Sequence, residues 1–162
     1  GMTVHGGAEL NIFNSYAVSE MKRLGAADIT ASFELKLTQI SELSAELPIG
    51  IYAYGRLPLM LCRNCPVKAS AGGCGKCTKK LTDRTGRSFP AVCDGTSTEL
   101  LNCDKLLLSD RLADVKNVSF LTLLFDDESA DEMLDIIVAY RSGTRPHISG
   151  KPTNGLYYRG II

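Results

Sequence analysis

Four of the six cysteines are grouped with the spacing C-x8-C-x2-C-x15-C, at Cys65, Cys74, Cys77 and Cys93. The middle pair lies in the sequence Gly-Gly-Cys-Gly-Lys-Cys, where the glycines allow a tight turn that brings two sulfur atoms toward one point. Four thiolates are the donor set of structural zinc sites and of iron–sulfur clusters. The spacing therefore predicts a four-cysteine metal centre, and it leaves open whether the centre holds a zinc ion or a [4Fe–4S] cluster.

The cysteines allow two other interpretations. An even number can form three disulfides, as in small secreted domains, and single thiols can pack in a hydrophobic core. The N-terminus lacks a basic start followed by an apolar run, so the sequence predicts no signal peptide and favours the metal centre over disulfides. Cys62 lies three residues before Cys65 and could replace a proposed ligand, whereas Cys103 lies in a leucine-rich stretch and is expected to pack in a core.

The composition indicates one domain with a hydrophobic core, with room for a metal-stapled insertion. Of the 162 residues 44% are hydrophobic, and 18 basic and 18 acidic residues cancel. No apolar stretch reaches about 18 residues, so we expect a cytoplasmic protein without membrane contact. The cysteine segment has a local basic excess, which either binds RNA phosphates or forms a solvated hairpin face. Its members are Arg63, Lys68, Lys76, Lys79, Lys80, Arg84 and Arg87.

Hydrophobic periodicity predicts strands that alternate with helices on both sides of the cysteine segment. The predicted strands cover residues 9–13, 28–33, 50–54 and 119–125. The first helix is capped by Asn14 or Ser15, the second carries its apolar face to Leu47 and ends at Pro48, and the last begins at a capping box of Ser129 with Glu132. Short connections favour parallel strands with right-handed crossovers. Between these parts, residues 81–92 predict a β-hairpin that turns at 84–87.

These elements divide the chain into three parts. Residues 1–54 form βα units of a half barrel, residues 55–110 form a cysteine-rich, metal-binding insertion with the β-hairpin, and residues 111–162 form the final βα unit and a C-terminal tail. A parallel sheet with two open edges pairs readily with other strands. We therefore expect the chain to form homo-oligomers, to pair with a missing half, or to fold as an open doubly wound sheet.

Several short motifs resemble the second half of the peptidase family U32 domain, the collagenase-like peptidases. The motifs are Leu-Asn-Ile-Phe-Asn-Ser at 10–15, Ser-Phe-Glu-Leu at 32–35, Tyr-Gly-Arg-Leu-Pro-Leu-Met at 54–60, Asn-Cys-Pro at 64–66, Leu-Thr-Asp-Arg at 81–84, Phe-Pro at 89–90, Glu-Leu-Leu-Asn at 99–102 and Gly-Leu-Tyr-Tyr-Arg-Gly at 155–160. They follow one another in the family's order along nearly the whole chain.

The resemblance implies an α/β fold, a partial (β/α)8 TIM-barrel-like structure whose N-terminal half is missing and would be a partner. In better-understood relatives an iron–sulfur cluster supports hydroxylation of RNA bases or of quinone precursors, whereas the family's original assignment is metal-dependent proteolysis. Two positions depart from the family pattern. Pro58 stands where the signature has a cysteine, seven positions before Cys65, and Leu156 stands where histidine is frequent. The ligand set must therefore differ from the family's, with Cys74 as the substitute.

Reactive groups in such barrels lie at the carboxyl ends of the strands. On the predicted strands those positions include Glu34, a candidate acid or base, and three candidate substrate-binding residues, Asn11, Asn14 and Arg56. Structural alternatives are open, because Glu34 could stabilise a helix N-terminus and Asn14 could simply cap a helix.

Three functions are compatible with these residues. The leading hypothesis is redox modification, by hydroxylation, of RNA or of a small aromatic substrate by an enzyme of which this chain is the C-terminal part. One alternative is a metal-dependent peptidase with Glu34 as base, although the sequence contains no H-E-x-x-H motif. The other is a zinc-stapled module that binds a partner without catalysis. Asp126 and Asp127 are expected to be first-turn helix charges, while Tyr157 and Tyr158 either stack on bases or pack on a helix. We expect the fragment alone to be inactive, because half of the barrel mouth is missing.

Overall fold

The computed structural model describes residues 1–160, which form a mixed α/β protein with two sheets. The strands are β1 (His5–Gly6), β2 (Asp28–Thr30), β3 (Ile49–Gly55), β4 (Pro58–Cys62), β5 (Lys80–Thr82), β6 (Ser88–Cys93), β7 (Thr98–Leu101), β8 (Leu106–Leu107) and β9 (Phe120–Leu123). The α-helices are α1 (Ser15–Arg23), α2 (Leu37–Ser41), α3 (Pro66–Ala71) and α4 (Ala130–Ser142). Short 3-10 helices cover Ala8–Leu10, Cys74–Lys76 and Ser109–Asp114.

The chain divides into two compact units. Unit 1 contains Gly1–Gly55 and the chain from Leu106 onward, and unit 2 contains Arg56–Lys105. Unit 2 is therefore an insertion between β3 and β8. The described part of the chain has no helix that is both long enough and apolar enough to cross a bilayer.

Unit 1 is organised around β3, whose seven residues are all buried. β1, β2 and β3 are parallel neighbours, and β9 is also parallel to β3. β8 pairs with the end of β3 in the antiparallel direction, with Gly55 opposite Leu106. The predicted parallel strands are confirmed in β2, β3 and β9, whereas the five strands of this sheet do not close into a barrel within residues 1–160.

Apolar side chains on the strands and helices form the core of unit 1. Ile29, Ile49 and Ile51 on the sheet are at most 1% exposed, and Ile40 and Ile136 from α2 and α4 are buried with them. β3 approaches β9 closely because residue 50 is glycine, and a Cβ there would lie 2.0 Å from the Phe120 ring. β3 contains two isoleucines and two tyrosines, and β-branched and aromatic residues of this kind favour an extended backbone.

Polar capping residues begin the two longest helices. The Asn14 side chain accepts a hydrogen bond from the Ala17 N–H at 3.0 Å, so the predicted cap of α1 is confirmed. Ser129 and Glu132 form the predicted capping box of α4, with a bond of 2.7 Å from the Ser129 N–H to the Glu132 carboxylate. Gly143 closes α4 in the left-handed conformation, as expected from a glycine at this position.

Unit 2 is an antiparallel sheet of order β4-β7-β6-β5 with α3 beside it. The predicted hairpin is confirmed as β5 and β6, and Asp83 accepts the backbone N–H groups of Thr85 and Arg87 in its turn. Its buried hydrophobic cluster contains Val67, Ala91 and Leu100.

Two predictions near the start of the chain are wrong. Residues 9–13 are not a strand, because Ala8–Leu10 is a 3-10 helix and Asn11 closes it with a left-handed φ of 52°. Ile12 pairs with the sheet through an isolated bridge to Ala31, and the Glu9 carboxylate accepts a hydrogen bond from the Tyr52 hydroxyl on β3 at 2.9 Å. The second predicted helix is also shorter than expected, since α2 ends at Ser41 rather than near Pro48.

Candidate metal centre

Cys65 begins α3, and its sulfur is placed to be a thiolate. The Sγ atom accepts the Lys68 backbone N–H at 3.3 Å, as the N-cap of a helix whose first residue is Pro66. The pKa of Cys65 is lowered, first by a hydrogen bond from the Thr98 side chain and then by the Lys68 N–H, which outweigh the opposing effect of burial. The side chain of Thr98 is itself buried.

Cys74 and Cys77 lie at the start and the end of a tight 3-10 turn. The turn follows Gly72 and Gly73, which both have positive φ angles of 71° and 137°, values that other residues rarely adopt. The Cys77 Sγ accepts the Lys79 N–H at 3.3 Å. The Cys74 side chain is exposed, whereas Cys77 is half-buried and packs on the hydrophobic cluster of unit 2.

Cys93 is the last residue of β6 and precedes a four-residue turn built by Asp94. The Asp94 carboxylate accepts the backbone N–H groups of Ser97 at 2.7 Å and Thr96 at 2.8 Å, and also both of their hydroxyls. These bonds hold the pKa of Asp94 well below its usual range. The turn connects Cys93 to Thr98, its partner on β7, so one structure positions both the cysteine and the donor to Cys65.

Three of the four predicted ligands line one cavity of about 640 Å³ in unit 2. They are Cys65, Cys74 and Cys93, and the basic residues Arg63 and Lys68 line the same space. The positive charge of these two side chains attracts anions to the cavity. The fourth predicted ligand, Cys77, lies outside this lining.

The cysteine sulfurs are chemically suitable metal ligands, but the distances between them are longer than a single zinc ion requires. All six cysteines are free thiols. Within residues 1–160 no three cysteine sulfurs lie within 4.8 Å of one another. Four thiolates on one zinc ion, each about 2.3 Å from the metal, would have sulfurs about 3.8 Å apart. A [4Fe–4S] cluster spreads its ligands more widely because each thiolate binds a different iron.

The two remaining cysteines lie outside the cavity lining. Cys62 ends β4 and is paired with Thr98 in the sheet, so it is near the site but on the neighbouring strand. Cys103 is half-buried, and its Sγ lies 3.5 Å from the Asn102 amide oxygen.

The predicted catalytic and substrate-binding residues lie in a turn, at two helix ends and in unit 2. Glu34 is half-buried in the turn after β2, where its backbone N–H lies 3.3 Å from the Ser32 hydroxyl. Asn11 ends the first 3-10 helix, and Asn14 caps α1. Arg56 belongs to unit 2, where its guanidinium donates to the Cys103 carbonyl oxygen at 2.5 Å.

The expectation that Asp126 and Asp127 are first-turn charges of α4 is wrong. Asp126 and Asp127 precede the N-cap, and with Glu128 they form a group whose carboxylate oxygens lie within 4.8 Å of one another. The Tyr54 hydroxyl donates to Glu128 at 2.7 Å. Burial and this carboxylate together raise the pKa of Tyr54 far above its ordinary value.

Both tail tyrosines are engaged within unit 1. The Tyr157 ring is buried, and its hydroxyl donates to the Tyr52 carbonyl oxygen at 2.7 Å. The Tyr158 hydroxyl donates to Asp114 at 2.6 Å, and the Arg111 guanidinium lies 5.2 Å from the centre of the Tyr158 ring. Tyr158 also lines a cavity of about 570 Å³ in unit 1.

Two residues that shape the thiol site, Thr98 and Asp94, were not predicted from the sequence. Thr98 belongs to no recognisable motif, because its hydrogen bond to Cys65 depends on its position in β7. Asp94 does give one, since Asp-Gly followed by Thr-Ser is typical of a turn in which the carboxylate binds the next backbone N–H groups.

No family model, curated protein or solved structure significantly matches the chain.

Proposed function

We propose that unit 2 binds a metal centre through Cys65, Cys74, Cys77 and Cys93. The proposal extends to the chain as the C-terminal half of a U32-type, TIM-barrel-like enzyme that hydroxylates RNA or a small aromatic substrate. The observation that supports it is that three of these cysteines line one cavity together with the basic residues Arg63 and Lys68.

Several residues of unit 2 would have distinct roles at this centre. A bound iron–sulfur cluster would supply one-electron transfer. Cys65 is ready to bind because its thiolate is stabilised before any metal arrives. The Gly72–Gly73 turn lets Cys74 enter the cavity without strain, and Lys68 offsets the negative charge of the thiolates or contacts a phosphate.

Zinc without catalysis is the second candidate, and the small core of unit 2 favours it. The unit spans Arg56–Lys105, and its hydrophobic cluster has three buried residues. Domains of this size usually need a disulfide or a metal in addition to their core. Because Cys65 and Cys77 both pack against the cluster, a metal there would stabilise the fold directly.

Metal analysis of protein purified without oxygen separates the two candidates. A brown protein with about four iron atoms per chain supports the redox enzyme. A colourless protein with about one zinc ion per chain supports the zinc-binding module without catalysis. Serine replacements of Cys65, Cys74, Cys77 and Cys93 should each lower the metal content and the thermal stability together. Cys103→Ser is the matched control and should retain both. Metal content that is unchanged in all four variants would refute the ligand set.

Peptidase activity through Glu34 stays a prediction. It requires cleavage of denatured collagen that is lost in Glu34→Gln while the metal content remains. Loss of cleavage in the cysteine variants but not in Glu34→Gln would assign the activity to the metal centre instead.

A further inference from the structure

The outward face of α4 carries a stripe of large apolar side chains. Leu134, Ile137 and Val138 are 61%, 39% and 61% exposed, although Ile136 and Tyr140 on the opposite face are buried in unit 1. Residues three and four apart in a helix lie side by side, so these three form one continuous surface. Contiguous exposed apolar surfaces are frequent at sites of protein association.

Opposite charges flank this stripe. Asp131 lies one turn before Leu134, and Arg141 lies one turn after Val138, on the same side of the helix. Both side chains are exposed, and neither forms an ion pair within residues 1–160. The surface is therefore acidic toward its N-terminal end, where Asp135 is also exposed beside the stripe, apolar in the middle and basic at the other end.

We infer that α4 docks antiparallel against α4 of a second copy of this chain. Residues 131 and 141 are equally far from residue 136, and so are residues 134 and 138. A two-fold axis at that level brings Asp131 near Arg141 of the second copy, twice, and Leu134 beside Val138 of the second copy, twice. A parallel pair would instead align like charges.

The symmetry makes the inference testable by charge exchange. Sedimentation velocity over a range of concentrations should show a reversible dimer. Asp131→Arg and Arg141→Asp should each raise its dissociation constant about tenfold, because each replaces two attractive pairs by two repulsive ones. The double variant, which restores opposite charges, should return to within about threefold of the original value. Glu42→Arg, an equal charge change on an exposed residue outside α4, is the control and should leave the dimer unchanged.

Two further measurements test the apolar contacts and the ion pairs separately. Leu134→Gln tests the apolar part without a charge change and should also weaken the dimer. Raising the salt concentration should shrink the effect of the single charge reversals, since exposed ion pairs are screened. Circular dichroism confirms that each variant is folded.

Three outcomes would overturn the inference. The first is a monomer at every concentration, which would assign the stripe to a different partner or to another segment of a longer chain. The second is a dimer that none of the α4 variants affects. The third is a double variant as weak as the two single variants, because that result excludes the antiparallel register.

Discussion

The Tyr140 hydroxyl joins three elements of unit 1, and its removal is the sharpest test of the fold. The hydroxyl donates to the Ala53 carbonyl oxygen on β3 and accepts the Leu108 N–H at 2.9 Å, just after β8. Ala53 lies at the irregularity in the β3–β9 pairing, between Tyr52 and Tyr54. The side chain from α4 thus supplies a hydrogen bond at the place where the sheet ladder is interrupted.

Tyr140→Phe keeps the ring and removes only the hydroxyl. The change leaves a buried carbonyl and a buried N–H without this partner, and each loss costs about 1–3 kcal/mol. We expect the free energy of unfolding to fall by about 2–6 kcal/mol. At roughly 3 °C per kcal/mol, the melting temperature should fall by about 6–18 °C.

Urea titration followed by far-ultraviolet circular dichroism measures this loss. Tyr16→Phe is the matched control, since Tyr16 is 88% exposed and should change the free energy of unfolding by less than about 0.5 kcal/mol. A Tyr140→Phe protein within about 0.5 kcal/mol of the original would refute the argument, because the two buried groups would then have other partners.

Four other predictions concern the core, a cap and the thiol site. Gly50→Ala should destabilise unit 1 by about 1–3 kcal/mol in the same urea assay, since its methyl group overlaps the Phe120 ring, and unchanged stability would contradict the packing. Asn14→Ala should cost about 1 kcal/mol and Asn14→Asp almost nothing if the residue acts as a cap; equal losses would argue against that role. Cys65 should react with iodoacetamide at a lower pH than an ordinary cysteine, and Thr98→Val should raise its pKa, which mass spectrometry of the labelled peptides can follow. The lowered pKa of Asp94 stabilises the fold above the ordinary carboxyl pKa and loses that effect as the pH falls through the folded value, so Asp94→Asn should flatten the loss of stability below about pH 4.

Local signals in the sequence were sufficient for several elements of the fold. A continuous apolar run defines β3, and the capping box at Ser129 defines the start of α4, because both depend on neighbouring residues. The sequence of residues 9–13 predicts a strand because its apolar residues alternate with polar ones. Asn11 adopts a left-handed conformation there, which ends the local helix and leaves one residue to pair with the sheet.

At the thiol site, the sequence predicts which cysteines are grouped but not how their surroundings affect them. Three of the four cysteines that the spacing groups together, Cys65, Cys74 and Cys93, line one cavity, whereas the four-cysteine metal site itself stays a prediction. The lowered pKa of Cys65 could not be read from spacing, because it depends on Thr98 from a strand more than thirty residues away. Long-range sheet pairing, such as β8 against β3, likewise has no local signature.

The pairing of Gly55 with Leu106 has a consequence for how this chain could be rebuilt. These two residues, which flank unit 2 in the sequence, lie directly opposite each other on adjacent antiparallel strands. A two-residue turn can connect such positions. Unit 2 is therefore a segment that can be replaced: deletion of residues 56–105 and insertion of Asn-Gly between Gly55 and Leu106 would leave a smaller α/β protein. Other domains could be inserted between the same two residues.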